Sequence, residues 1–581
     1  MFNKYFQDEL AYLRELGREF SQAYPKLAPM LADRGVDPDV ERLLEGVAFL
    51  TGRIRQKLDD EVPEFLQSVG FLLFPHLMRA LPSASILQIT PIANAARETQ
   101  VVKAGTEFAS VPIDGTTCTF RSSTDCVVSP VAIEDARIDV QAGGRQQISI
   151  TLRSLTGKPI GSALPNTLRL HFTGETQVAT ALLFAAHQQT SDVVVSAVRG
   201  REVSLGRGAV QWVGFDESEG LLPMGKHVFP GFRLLEEYYV LPAKFHFVDI
   251  RDVKRAGELD RDSPRVTLSF RLSRPLPVGM RVSAENIKLN CVPIINVFQT
   301  TSEPIRLTQS RDRFVVRPAG LPPAHGEVYA INNVLAILRG SASRVTIPPF
   351  FEFSHAARGE HGFYTTHLTP SVTREGADTL ISFGTAEGSG KVLDAETISI
   401  ELLATNRALA QSLRPGDVSV HTATSPMFAT FSNITAMSPH VPPPLGHELQ
   451  WRAVAHSAIG LRSLAEVEVL RAVVDVYNLH AMIDQQAARA NELRVAAIKD
   501  IRLRGIERLY RSSLIRGVGI DVDLDDDGFG GDGDMMLFAA VLERIFAEHV
   551  SINSFAECTF RTLRSKVEIR WPPRSGNTTI L

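Results

Sequence analysis

The sequence predicts a multidomain α+β protein, with helices at both ends and β-rich segments between them. Three observations carry this reading. Apolar side chains recur every three or four residues from Phe2 to Tyr24, the spacing of one helical stripe. After Pro82 that spacing gives way to alternation, the period of a strand with one wet face. Helical periodicity returns beyond Pro442-Pro443-Pro444, three prolines that stiffen the backbone as polyproline II.

At the amino end, Phe2, Phe6, Leu10, Leu13, Leu16, Phe20 and Tyr24 share one helical face, opposite Lys4, Asp8, Glu15, Arg18 and Glu19. Asp37-Pro38 predicts the start of a second helix, because aspartate caps and proline loses no hydrogen bond at the first helical position. That helix runs to about residue 60 with Val40, Leu43, Val47, Leu50, Ile54 and Leu58 on one side. Val62-Pro63-Glu64 predicts a break and then a third helix ending at Pro75. Phe65, Leu66, Val69 and the run from Phe71 to Phe74 make it apolar nearly all round, so burial on more than one side is expected. Burying the first stripe yields roughly 10–20 kcal/mol gross, against roughly 1–2 kcal/mol per residue to order the backbone. The first helix therefore needs support from the next two helices, the rest of the chain, or a partner.

Alternation predicts strands at 85–90, 147–155 and 167–172, then a short helix at 177–187 and a strand at 193–198. The polar, charged stretch 251–264 is the best linker candidate in the middle. Further strands follow at 266–272, 286–293, 314–316, 328–331, 379–383 and 397–403. Residues 445–490 read as mostly helical, and 498–524 as less regular alternation. A last helix at 535–549 carries Phe538, Val541, Leu542, Ile545 and Phe546 on one face, and a closing strand lies near Cys558. The expected division is a helical region at 1–82, β-rich regions at 83–250 and 251–440, and an α+β domain at 441–581.

At 581 residues the chain exceeds what one core holds. A net charge of −4, with 44% hydrophobic and 22% charged residues, lacks the basic excess of a nucleic-acid binder. No apolar run approaches the ~18 residues of a membrane span, so direct membrane insertion is not expected. The opening Met-Phe-Asn-Lys leads straight into helix, which predicts no secretory signal. Cys118, Cys126, Cys291 and Cys558 form no Cys-x-x-Cys pair, favouring reduced thiols and a cytoplasmic location over disulfides or zinc.

Three constellations invite chemistry. Asp523-x-Asp525-x-Asp527-Gly528 resembles the start of a calcium loop, but Asp534 stands where a bidentate glutamate is expected and strand precedes it. Gly384 to Lys391 follows a strand like a phosphate loop, yet its spacing is one residue too long and Val392 replaces the magnesium-holding Ser/Thr. His355, His361 and His367 recur every six residues, which brings them to no common face. No Gly-x-Ser-x-Gly or His-Glu-x-x-His motif occurs. No catalytic, cofactor-binding or metal residue is expected. The alternative class, a carbohydrate-binding or carbohydrate-processing β-rich protein, rests only on the middle strands and requires paired carboxylates in a cleft.

Five stretches, in order along the chain, carry a resemblance. They are Tyr5 to Leu13 with Pro63-x-Phe65 and Phe74-Pro75-His76; Gly231 to Tyr239 with Leu241 to Phe247; Leu289 to Phe298 with Glu303-Pro304-Ile305; Thr405-Asn406-Arg407 with Pro442 to Gly446 and Trp451-Arg452; and Val541 to Phe546 with Ser551 to Phe555. Together they resemble the type VI secretion baseplate family TssF, also called ImpG or VasA. The resemblance implies a structural subunit rather than an enzyme, with two copies joining one TssG in a wedge. TssK and TssE attach to that wedge, and wedges surround the VgrG spike to start sheath and Hcp tube assembly. It also implies a cytoplasmic protein recruited to the inner-membrane-anchored secretion complex. In that setting Phe2, Phe6, Leu10, Leu13, Leu16 and Phe20 become candidate partner-binding residues. Trp451, just past the proline hinge, either anchors its own domain or docks a partner.

Overall fold

The computed structural model describes residues 2–24, 38–93, 95, 97–141, 143–197, 201–224, 230–258, 263–308, 312–338, 344–350, 362–371, 376–384, 395–445, 452, 460–510 and 513–576. Helix α1 (Phe2–Ala23) and helix α2 (Pro38–Leu73) form an antiparallel hairpin at the amino end. The second and third predicted helices are therefore one, continuous through Pro63. An interior proline forfeits one hydrogen bond and crowds the preceding turn, at about 3 kcal/mol. That is a cost a ten-turn helix carries rather than a certain stop. Nor is the end of α2 buried all round, since Leu72 and Leu73 are exposed.

The strands form sheets from distant parts of the chain. Ala84–Pro91 lies between Ala429–Asn433 and Cys291–Ile295, and Thr119–Ser122 and Glu107–Ala109 complete that sheet. A second sheet orders Glu202–Ser204, Thr190–Ala197, Arg265–Leu272, Gln146–Ser154 and Val131–Val140. A third orders Val210–Trp212, Phe247–Ile250, Leu168–Phe172 and Ile287–Leu289. Strands from either side of residue 250 share all three sheets, so the expected division at 250/251 does not follow strand pairing. Arg265–Leu272 shows why: it is hydrogen-bonded on both edges and buries Val266, Leu268 and Phe270. Residues 298–405 supply two further sheets, built around Glu327–Leu338 with Ala395–Thr405 and Phe363–Pro370 with Ala377–Gly384.

At the carboxyl end, the expected irregular alternation is a long hairpin, Ile498–Tyr510 with Ser513–Leu524. Ser513–Leu524 pairs parallel with Phe555–Thr562, and helix Asp532–Glu548 makes the crossover. That helix is buried nearly all round, against Thr176–Phe184, Pro230–Val240 and the sheet. Its entry needs Gly533, where a Cβ would lie 2.0 Å from the Thr180 carbonyl oxygen. One continuous apolar core takes in residues from Phe74 to Val297 and from Leu464 to Trp571.

The stretches that carried the resemblance meet at joints within this body. Asn296 and Asn406 bond reciprocally, the Asn406 amide N–H donating to Asn296 Oδ1 at 2.7 Å and Asn296 Nδ2 to Asn406 Oδ1 at 2.8 Å. His76 stacks on Tyr477, which stacks on Phe232. The Gly231 N–H donates to Glu548 at 2.8 Å.

Candidate partner-binding surface

Within the amino-terminal hairpin, α1 and α2 approach closely at Gly52, where a Cβ would stand 3.3 Å from the Phe6 backbone nitrogen. A side chain there would push the helices apart. Ion pairs flank the contact, Arg55 with Glu9 at 2.8 Å and Arg14 with Glu41. This contact divides the α1 stripe. Leu10 is only 5% exposed, Phe6 and Leu13 are half-buried, and Leu16, Phe20 and Tyr24 are exposed together with Tyr12. Phe2 opens the helix. Trp451 lies outside the described residues; its neighbour Arg452 pairs with Asp475 at 3.0 Å.

The larger apolar surface belongs to α2. Leu43 is 69% exposed, Leu50 63% and Ile54 60%, with Val47 between them and Phe49 beside them. Steps of four, three and four place Leu43, Val47, Leu50 and Ile54 on the kind of seam that a neighbouring helix fills in a coiled coil. Periodicity in the sequence shows this row as an apolar face, while the candidate partner-binding residues of the hairpin lie on α1. α1 covers only one side of α2, which leaves this row exposed. At its far end α2 is braced on the body: Gln67 Nε2 donates to the Leu368 carbonyl and Gln67 Oε1 accepts from the Leu368 N–H, both at 3.0 Å.

Of the candidate chemical motifs, the acidic loop resolves into structural contacts. In the acidic loop, Asp523 pairs with Arg502 at 2.8 Å, Asp525 with Lys499 at 3.5 Å, Asp527 with Arg564 at 2.6 Å and Asp534 with Arg494 at 3.1 Å. These carboxylates thus serve separate ion pairs instead of converging on one ion. His367 sits on the strand Phe363–Pro370, while His355, His361 and residues 385–394 lie outside the described residues. All four cysteines are buried, and burial pushes the Cys118 thiol up to about 11 and Cys126 to about 12, far from the range of a reactive thiolate.

Buried charge is concentrated where the body is joined. Glu237 accepts from the Leu221 and Leu222 N–H groups at 2.6 and 3.1 Å and pairs with Lys244. Burial pushes its neighbour Glu236 well above the usual carboxylate range. A groove of about 810 Å³ has Glu327 in its wall, held by His440 at 2.9 Å and by Arg407 at 3.9 Å. Among the described residues, no helix is long and apolar enough to cross a membrane.

A family model described as "Type VI secretion system, TssF" matches residues 1–578. The type VI secretion system component TssF1 of Pseudomonas aeruginosa is 27% identical, across 99% of this chain and 98% of that protein. Among solved structures, a chain of a TssK-TssF-TssG baseplate subcomplex superposes with a TM-score of 0.76 at 27% identity, covering 92% of this chain and 98% of that one. A chain of a type VI secretion baseplate complex gives 0.62 at 26% identity, with both chains fully covered. With a family model that spans almost every residue and a matching fold along the same length, this chain belongs to the type VI secretion TssF family.

Proposed function

We propose that this chain is a structural subunit of a type VI secretion baseplate, and that its amino-terminal hairpin joins it to neighbouring subunits. The observation that carries the interface reading is the open seam of Leu43, Val47, Leu50 and Ile54 on α2, with Leu16 and Phe20 also exposed on α1. Full burial of such a side chain contributes roughly 1.5–3 kcal/mol, and more than half of that is still unrealised at the most exposed positions. The α2 seam therefore holds about 3.5–7 kcal/mol of unspent burial. Association itself costs about 4–15 kcal/mol, so the seam needs an equally apolar partner face.

TssG and a second copy of this chain are the partners assigned to the hairpin. The related TssK-TssF-TssG subcomplex, which holds TssG beside a similar chain, supports TssG as a partner. The finer reading is a wedge of two such chains per TssG, with TssK and TssE attached, set around VgrG to start sheath and Hcp tube assembly in the cytoplasm. Its role would be mechanical: interfaces that hold one arrangement before firing and another after it. Trp451 remains a second candidate contact. Co-expression with TssG, followed by the native mass of the purified complex, tests the reading. A complex of two chains per TssG supports it; a chain that stays monomeric beside folded TssG overturns it.

A further inference from the structure

A second surface, independent of the hairpin, lies on the carboxyl-terminal sheet. Ile498–Tyr510 is an edge strand that pairs, among the described residues, only with Ser513–Leu524. The next strand joins Ser513–Leu524 only from Val518 onward, so the outer half of the hairpin projects as a two-stranded ribbon. Residues 502–509 are exposed along this edge except for half-buried Ile506. Natural edges of this length are usually short, bulged or interrupted by proline. Here the only shift in register falls at Ile498/Asp500, before the exposed part.

Alternation gives the edge two different faces. One presents Leu503 and Leu509, with Leu514 directly across from Leu509. The other presents Arg502, Arg504 and Arg508. Their guanidinium groups lean inward across the sheet: Arg502 to Asp523 at 2.8 Å, Arg504 to Asp521 at 3.1 Å and Arg508 to Glu557 at 2.7 Å. Gly519 allows this, since a Cβ there would meet the Arg504 side chain at 2.8 Å. A guanidinium carries five donors, so each arginine keeps some unspent while leaving the backbone edge uncovered.

Charge decides what fits. A two-fold pairing of this edge with its own copy, centred anywhere from Leu503 to Glu507, sets arginine against arginine or Glu507 against Glu507, and like charges directly opposite destabilise a sheet. A second copy is thus disfavoured. We propose that the edge accepts, as an added strand, an extended segment of a different protein in which acidic residues alternate with apolar ones. Its acids lie beside Arg502, Arg504 and Arg508, its apolar side chains beside Leu503 and Leu509, and its backbone completes the open ladder.

The test uses the full chain and a labelled peptide alternating glutamate and valine over about eight residues, the length of the exposed edge. Fluorescence anisotropy should show binding at least about tenfold tighter than for the lysine–valine counterpart. Replacing Arg502, Arg504 and Arg508 together by glutamate should invert that preference. A glutamate–valine peptide with a central proline should lose binding in the unaltered chain, which separates strand addition from plain charge attraction and does not depend on a variant folding. Absence of binding by either peptide would mean that the arginines only guard the edge, and would overturn the proposal. Equal binding of the acidic and basic peptides, or full binding of the proline peptide, would overturn it as well.

Discussion

Replacing Leu50 and Ile54 together by aspartate separates the role of the α2 seam in assembly from any role in folding. Both side chains are already more than half exposed, so the fold has little to lose, within about 0.5 kcal/mol each. The thermal transition of the isolated chain should hardly move. In a filled interface the same change removes about 1–2 kcal/mol of unrealised burial per residue. It also carries two carboxylates into an apolar seam at several kcal/mol apiece. A total of about 5 kcal/mol or more weakens association over a thousandfold. Size-exclusion chromatography or mass photometry with TssG, near micromolar concentration, would read this as loss of the complex. Leu10→Asp is the contrasting variant, because Leu10 is covered and its loss should melt the hairpin itself. If the Leu50→Asp, Ile54→Asp chain binds TssG with unchanged affinity, the seam is not an interface.

Other expectations follow from the body of the protein. Burial lowers His76 and His171 to about 3 and His187, His246 and His480 to about 4. Their folded values lie below the ordinary 6.5, so this stability is present above pH 6.5 and is lost as pH falls toward 4. Glu548 runs the other way: burial raises it to about 7, so its share of stability declines as pH rises from about 4.5 to 7. The five histidines should prevail, and differential scanning fluorimetry should show a lower transition at pH 5 than at pH 7; a flat or inverted profile contradicts this. Glu548→Gln should raise the transition at pH 7 more than at pH 5. Gln67→Ala removes both bonds to Leu368, at about 1–3 kcal/mol locally, and hydrogen exchange at the Leu368 amide should quicken. Gly533→Ala drives a methyl into the Thr180 carbonyl and should cost about 1–3 kcal/mol or more, visible as a lower unfolding temperature; unchanged stability would contradict that packing.

Local period was legible in the sequence; partnership was not. Alternation located the strands at 84–91, 146–154 and 168–172, although the expected wet face is missing over 84–87, 148–150 and 170–172, where residues on both faces are buried. It could not show that Ala84–Pro91 pairs with Cys291–Ile295 and Ala429–Asn433, since nothing in a strand's own residues names a distant neighbour. The division at 250/251 followed from that blindness: a charged stretch reads as a linker even where the strands beyond it return to the same sheets. In sequence Pro63 reads as a stop because its local cost is certain, whereas the compensation from the rest of α2 is not written nearby. The α1 stripe was seen, but periodicity does not say which of several apolar residues meets the neighbouring helix. Leu10 was claimed by α2, and the freer face proved to be Leu43 to Ile54.

Hydrogen–deuterium exchange of the chain with and without TssG is the most direct measurement of the proposed assembly role. Strong new protection in the peptides covering residues 43–54, with the central sheets little changed, is the predicted result. A complex that forms while those peptides exchange as fast as in the free chain would contradict it.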